Sequence, residues 1–144
     1  PEEERRSKDQ FLDLAENPDA FVYSINHEDE NIGYCVIWEL QGFYFLEHFE
    51  VFEEFRNQKF GEKILESLQE KFEKLILETE PDSLSEIAER RLRFYERNGF
   101  SVIEKNYLQP SYGEGKYAVN LFLMANFQPE NLETLVQEIY STVY

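Results

Sequence analysis

Positive charge is scarce in this 144-residue sequence: 14 Lys and Arg stand against 30 Asp and Glu, a formal net charge of −16. Such a chain repels phosphate polymers and anionic lipid surfaces, which excludes broad nucleic-acid binding and adsorption to a membrane. A cationic small molecule is attracted instead. Cysteine is scarcer still. Cys35 stands alone, so no intrachain disulfide can form. His27 and His48 are the only histidines, too few for a metal-ligand cluster, and no metal is expected. No apolar run approaches the length of a membrane span, and no secretory signal is visible. A reducing cytoplasm is the expected location. The chain begins at Pro1 rather than Met, so an upstream segment is expected.

Aromatic residues are plentiful: thirteen Phe, nine Tyr and one Trp within a 42% hydrophobic composition. That composition supports one packed domain over residues 1–144 and argues against disorder. Residues 2–16 read as a charged helix with Phe11, Leu12 and Ala15 inward. Ala20 to Asn26 and Asn31 to Leu40 read as strands joined by an acidic turn, His27 to Glu30. Gln41-Gly42 turns into a third strand, Phe43 to Val51. Alternation places Phe43, Phe45, Glu47, Phe49 and Val51 on one face of it.

The apolar period then changes from 2 to 3.6 near Gly61, where Ile64, Leu65, Leu68 and Phe72 recur at helical spacing. A strand-to-helix turn of this kind leaves backbone N–H groups unpaired and carries partial positive charge, which suits a phosphate. Gly61 lets a ligand approach the backbone, and Arg56, Lys59 and Lys63 surround the turn with cations. Leu75 to Thr79 is a short buried strand before Pro81. Ser83-Leu84-Ser85-Glu86 has capping-box spacing and opens a helix that ends at Asn98-Gly99. Phe100 to Leu108 and Tyr117 to Asn126 are strands around the loop Gln109 to Gly115. Residues 130–143 form an amphipathic helix with the stripe Leu132, Leu135, Val136, Ile139 and Val143. The order predicts an α+β fold in three layers: a mixed, mostly antiparallel sheet flanked by helices, parallel around residues 43–79.

At this point the residues resemble the GNAT superfamily of acyl-CoA N-acyltransferases. The family's pyrophosphate loop, Arg/Gln-x-x-Gly-x-Gly/Ala, is similar to Arg56-Asn57-Gln58-Lys59-Phe60-Gly61, with Lys59 where the first glycine is usual. Phe94-Tyr95-Glu96-Arg97-Asn98-Gly99-Phe100 resembles the family's Phe-Tyr-Glu-x-x-Gly-Phe segment. Ala88 stands where many members place an Asn that binds the pantetheine arm. The resemblance implies acetyl-CoA as co-substrate, in a cleft between the strand ending at Val51 and the strand at Leu75. Its pantetheine would pair with the backbone of Phe49, Glu50 and Val51. Its pyrophosphate would rest on the amides of Arg56, Asn57, Gln58, Lys59, Phe60, Gly61 and Glu62.

N-acetylation moves an acyl group from a thioester to an amine. The amine must lose a proton and the departing thiolate gains from a donor. Glu47 is the candidate base, because desolvation among Phe45 and Phe49 favours proton uptake by a carboxylate. A strand Glu that points into water or pairs with an Arg is the bland reading. His48 is the alternative base, on the opposite face unless a bulge reorients the strand. Tyr95 is the candidate acid, carried over from the family motif; the bland reading is a core aromatic. Arg90, Arg93 and Arg97 could share a helix face and meet the distal phosphate. The Gln109–Gly115 loop, with Tyr107 and Tyr112, falls where the family shapes its acceptor pocket. The expected acceptor is a small-molecule or peptide amine. A non-catalytic acyl-CoA-binding or protein-interaction domain of the same fold is the rival reading, and a homodimer through the last helix is compatible with both.

Overall fold

The computed structural model describes residues 14, 16–56, 58–113 and 116–144. The strands are β1 (Ala20–His27), β2 (Glu30–Glu39), β3 (Tyr44–Val51), β4 (Leu75–Thr79), β5 (Ser101–Gln109) and β6 (Val119–Ala125). The helices are α1 (Phe60–Phe72), α2 (Glu86–Arg97) and α3 (Leu132–Val143). Among the described residues one sheet holds six strands in the order β1-β2-β3-β4-β6-β5. Only β3 and β4 run parallel. The mixed, mostly antiparallel sheet expected from the element order is therefore present. The helix expected over residues 2–16 lies almost wholly outside the described residues, as do Phe11, Leu12 and Ala15; Leu14 is buried.

Local chemistry explains the joints. Glu28 and Asp29 both have positive φ (49° and 68°), the geometry of a two-residue hairpin turn matched to strand twist. The cap of α2 is Ser85 rather than Ser83: its side chain accepts from the Ala88 amide at 3.0 Å. Gly99, at φ 93°, ends that helix as its sequence position requires.

Two cores lie on the two faces of the sheet. Val36, Trp38, Phe43, Phe45 and Ile76 pack with Leu135, Ile139 and Val143 of α3. Cys35, Ile37, Leu46 and Leu77 pack with Leu65 and Phe72 of α1 and Leu92 of α2. The buried stripe of α3 is thus spent inside the molecule. Burial also pushes the Cys35 thiol up to about 11, which leaves it protonated and inert.

The irregularity that matters is in β3. Tyr34 pairs with Glu50, but Val36 pairs with Glu47, so His48 and Phe49 together oppose Cys35. This is a β-bulge, with His48 at φ 53°. It reverses the alternation. Phe43 and Phe45 belong to the α3 face, whereas Phe49 packs with the α1 and α2 face. The single apolar face expected from Phe43 to Val51 is corrected accordingly: strand periodicity cannot anticipate an extra residue.

Candidate active site

A fork in the sheet makes the site. β3 and β4 pair only from Tyr44–Leu46 to Leu75–Leu77. Beyond that register both strands continue unpaired to each other, and a cleft of about 690 Å³ opens between them. Glu47 to Val51 form one wall, and Leu77 to Glu80 the other. Arg90, Arg91 and Tyr95 of α2 close it from one face. Tyr112 and Gln109 reach it from the β5 end.

Glu47 stands at the fork, on the α3 face with Phe45, and is 4% exposed. Its carboxylate accepts from Trp38 Nε1 at 3.0 Å and from the Tyr112 hydroxyl. The bulge swings His48 to the same place, with Nε2 3.5 Å from Glu47 Oε2. The two candidate bases are therefore neighbours rather than residents of opposite faces. Glu47 does not point into open water.

Tyr95 lines the same cleft from the opposite face of the sheet, packed on Phe94 and Phe100. Burial pushes its phenol up, with the charge of Arg91 opposing, so it keeps its proton at neutral pH. Glu47 and Tyr95 are thus brought to one cavity, 48 residues apart in sequence.

Further along the strands the cleft becomes cationic. Arg56 donates through Nε to the Val51 carbonyl at 2.8 Å and lies 3.6 Å from Glu50. One backbone acceptor of the expected pantetheine edge is thereby engaged. Arg91 pairs with Glu80 at 3.4 Å, and Arg90 lines the cleft beside it. Arg93 instead pairs with Asp82 and Glu96. Of the expected trio only Arg90 lines the cleft, with Arg91 beside it; Arg93 and Arg97 lie outside it.

The strand-to-helix turn has the expected form. Lys59 caps α1 in the left-handed region at φ 63°, and no side chain caps the helix. A left-handed residue there explains why glycine is usual at this position of the motif. Gln58 and Glu62 are exposed, and Asn57 lies outside the described residues. Gly61 faces Phe94: a Cβ would come within 3.2 Å of that ring. Its small size therefore serves the packing of α1 on α2. Phe60 and Lys63 turn away, into a separate groove of about 430 Å³ between β1 and α1, where Phe60 packs on His27.

Sequence reasoning missed Glu78 and Tyr144, and it placed in the loop Gln109, which ends β5. Glu78 faces Glu47 across the fork and accepts from Gln109 Nε2 at 3.0 Å and from the Tyr144 hydroxyl at 2.8 Å. Burial pushes its carboxyl up to about 7, with the Glu47 charge adding and the hydrogen bonds from Gln109 and Tyr144 opposing. The available signal was a lone carboxylate inside the apolar strand Leu75-Ile76-Leu77-Glu78-Thr79. Among the described residues no cluster of metal-ligating side chains occurs, and no helix is long and apolar enough to cross a membrane.

Comparison with known proteins places these features in context. Residues 18–102 match the profile of the acetyltransferase (GNAT) domain. A Bacteroides thetaiotaomicron protein assigned to GNAT-family acetyltransferases superposes with a TM-score of 0.92 at 31% identity, over all of this chain and 84% of that one. A GNAT family acetyltransferase from Elizabethkingia anophelis, solved with acetyl-CoA bound, gives a TM-score of 0.61 at 22% identity, covering 83% of this chain and 82% of its own. The ribosomal-protein-S18-alanine N-acetyltransferase of Escherichia coli gives a TM-score of 0.61 at 18% identity, covering 88% and 81%. The last two likenesses concern the fold alone. No curated protein matches the sequence.

Proposed function

Since the chain belongs to the GNAT acetyltransferase family, we propose that it acetylates a primary amine by direct attack on acetyl-CoA in the cleft between β3 and β4. The residues present fit that co-substrate. Past Leu46 the edge of β3 at Phe49, Glu50 and Val51 does not pair with β4, with the Val51 carbonyl held by Arg56, and the uncapped start of α1 follows. Arg56, Arg90 and Arg91 would meet the phosphates, and the amides from Arg56 to Glu62 would hold the diphosphate. Acetyl-CoA supplies an acyl carbon activated as a thioester; the chain's own residues handle protons.

Glu47 takes the proton that the amine sheds as its nitrogen bonds the acyl carbon. Tyr95 gives a proton to the sulfur as the carbon–sulfur bond breaks. His48, 3.5 Å from Glu47, orients that carboxylate. The observation that carries this reading is that Glu47 and Tyr95, on opposite faces of the sheet, line one cleft. A cationic acceptor suits the site, because the carboxyl groups of Glu47 and Glu78 stand together at the fork. Location in the cytoplasm remains part of the proposal.

The test is calorimetry with acetyl-CoA, then thiol release over a panel of small and peptide amines. Stoichiometric binding with release on one amine class supports the reading. Binding with no release on any amine would favour the non-catalytic acyl-CoA-binding alternative.

A further inference from the structure

Four groups from four separate segments converge at the fork. The Tyr112 hydroxyl, from the loop after β5, donates to Glu47 Oε2 of β3. Its oxygen lies 3.5 Å from the Tyr144 hydroxyl, just after α3. Tyr144 reaches Glu78 of β4, at 2.8 Å to Oε1 and 3.0 Å to Oε2. The two rings pack with centroids 5.2 Å apart. The contacts span 65 and 66 residues of sequence, so only the tertiary fold assembles them.

We propose that Tyr112 and Tyr144 connect Glu47 to Glu78 as a hydrogen-bonded relay, and that Glu78 holds and releases the proton that Glu47 takes from the amine. The inference rests on the acetyl-transfer reading above. Its chemistry balances. In one order, a protonated Glu78 donates to Tyr144, Tyr144 to Tyr112, and Tyr112 to the Glu47 carboxylate. In the other, a protonated Glu47 donates to Tyr112, Tyr112 to Tyr144, and Tyr144 to the Glu78 carboxylate. Each of the three hydrogens shifts along its own bond. One proton leaves one carboxyl and arrives at the other, and neither phenol ends charged. Burial pushes both phenols far up, so phenolate does not accumulate.

Exposure shows why a relay is useful. Glu47 is 4% exposed, with Trp38 and Tyr112 on its oxygens, so direct exchange with water is hindered. Glu78 is less enclosed and meets the cleft. Glu78 is faced by Tyr107 and Gln109 of β5, Tyr140 of α3, Tyr144, Tyr112 and Glu47; Trp38 and His48 adjoin Glu47. Its pull toward about 7 lets it lose and regain a proton near neutrality.

Two measurements on the intact chain test this. First, carbon-13 carboxyl NMR follows Glu78 through a pH titration in wild type, Glu47→Gln, Tyr144→Phe and the double variant. Glu47→Gln should lower the Glu78 midpoint, and Tyr144→Phe should raise it. With Tyr144→Phe present, the response to Glu47→Gln should shrink to about half or less. An equal response in both backgrounds overturns the relay. Second, proton inventories of turnover should be curved in wild type and linear in Tyr144→Phe, with turnover down about tenfold and acetyl-CoA affinity within about twofold. Unchanged inventories overturn the proton-release role. A chain whose carboxyls couple but which acetylates no amine in the panel sinks the acetyl-transfer reading, not the coupling.

Discussion

The mouth and the fork of the cleft handle charge in opposite ways. At the mouth, Arg56 with Glu50 and Arg91 with Glu80 are partly exposed ion pairs. Such pairs contribute little, so exchanging a carboxylate for a phosphate costs little. At the fork, Glu47 and Glu78 sit within side chains that satisfy them through Trp38, Tyr112, Tyr144 and Gln109. Groups held this way are costly to disturb. The contrast separates a surface that can recruit an anion from one organised around protons.

The largest expected effect lies at the fork. Glu47→Gln should lower turnover roughly 100-fold or more while leaving acetyl-CoA affinity nearly unchanged, because removal of a positioned base costs that much. Steady-state kinetics alongside calorimetry decides it, and unchanged turnover removes Glu47 from the mechanism. Next comes Glu78→Gln, read through stability. The Glu78 carboxyl, at about 7, lies above its ordinary 4.5, so the folded state holds the extra proton between those values. Stability contributed by that proton is therefore present below pH 4.5 and lost as pH rises through about 7. The displacement corresponds to about 3 kcal/mol, so Glu78→Gln should gain up to that amount at pH 8 and nothing at pH 4. Urea unfolding at both pH values checks it; an equal change at both contradicts the burial argument.

How much of this contrast the sequence revealed follows the same line. The mouth is built from local pattern: a strand, a cationic turn and a helix start within residues 43–72, so Arg56, Lys59 and Gly61 could be read in order. Even there the bulge at His48 was only an open alternative, because a single inserted residue leaves composition and spacing intact. It moved Phe49 to the other face and His48 beside Glu47. The fork is built from long-range contacts. Glu47 was found through its place on β3, and Tyr95 through a helix motif. Glu78 shows locally only as a lone carboxylate in an apolar strand, and Tyr144 carries no local signature; what makes them a site is that β4 and the end of α3 meet there.

Two smaller effects sharpen the boundary between the regions. Gly33 of β2 lies so close to β3 that a Cβ would come within 2.1 Å of the Glu50 carbonyl oxygen. Gly33→Ala should therefore push back the cleft wall, costing about 1–3 kcal/mol in thermal or urea unfolding. A neutral result would mean that this wall yields freely. Lys59→Gly should leave stability unchanged or raise it by up to about 1 kcal/mol, because Lys59 holds a left-handed conformation at φ 63°. A clear loss of stability would show that its side chain matters more than its backbone.

The central claim is that the cleft where β3 and β4 part binds acetyl-CoA, with its mouth gripping the phosphates. Calorimetric titration of acetyl-CoA into wild type and Arg56→Ala at low and high salt tests it most directly. The account predicts one site per chain, weakened roughly fivefold by Arg56→Ala at low salt and by less at high salt. Absence of binding, or binding indifferent to both Arg56 and salt, would contradict it.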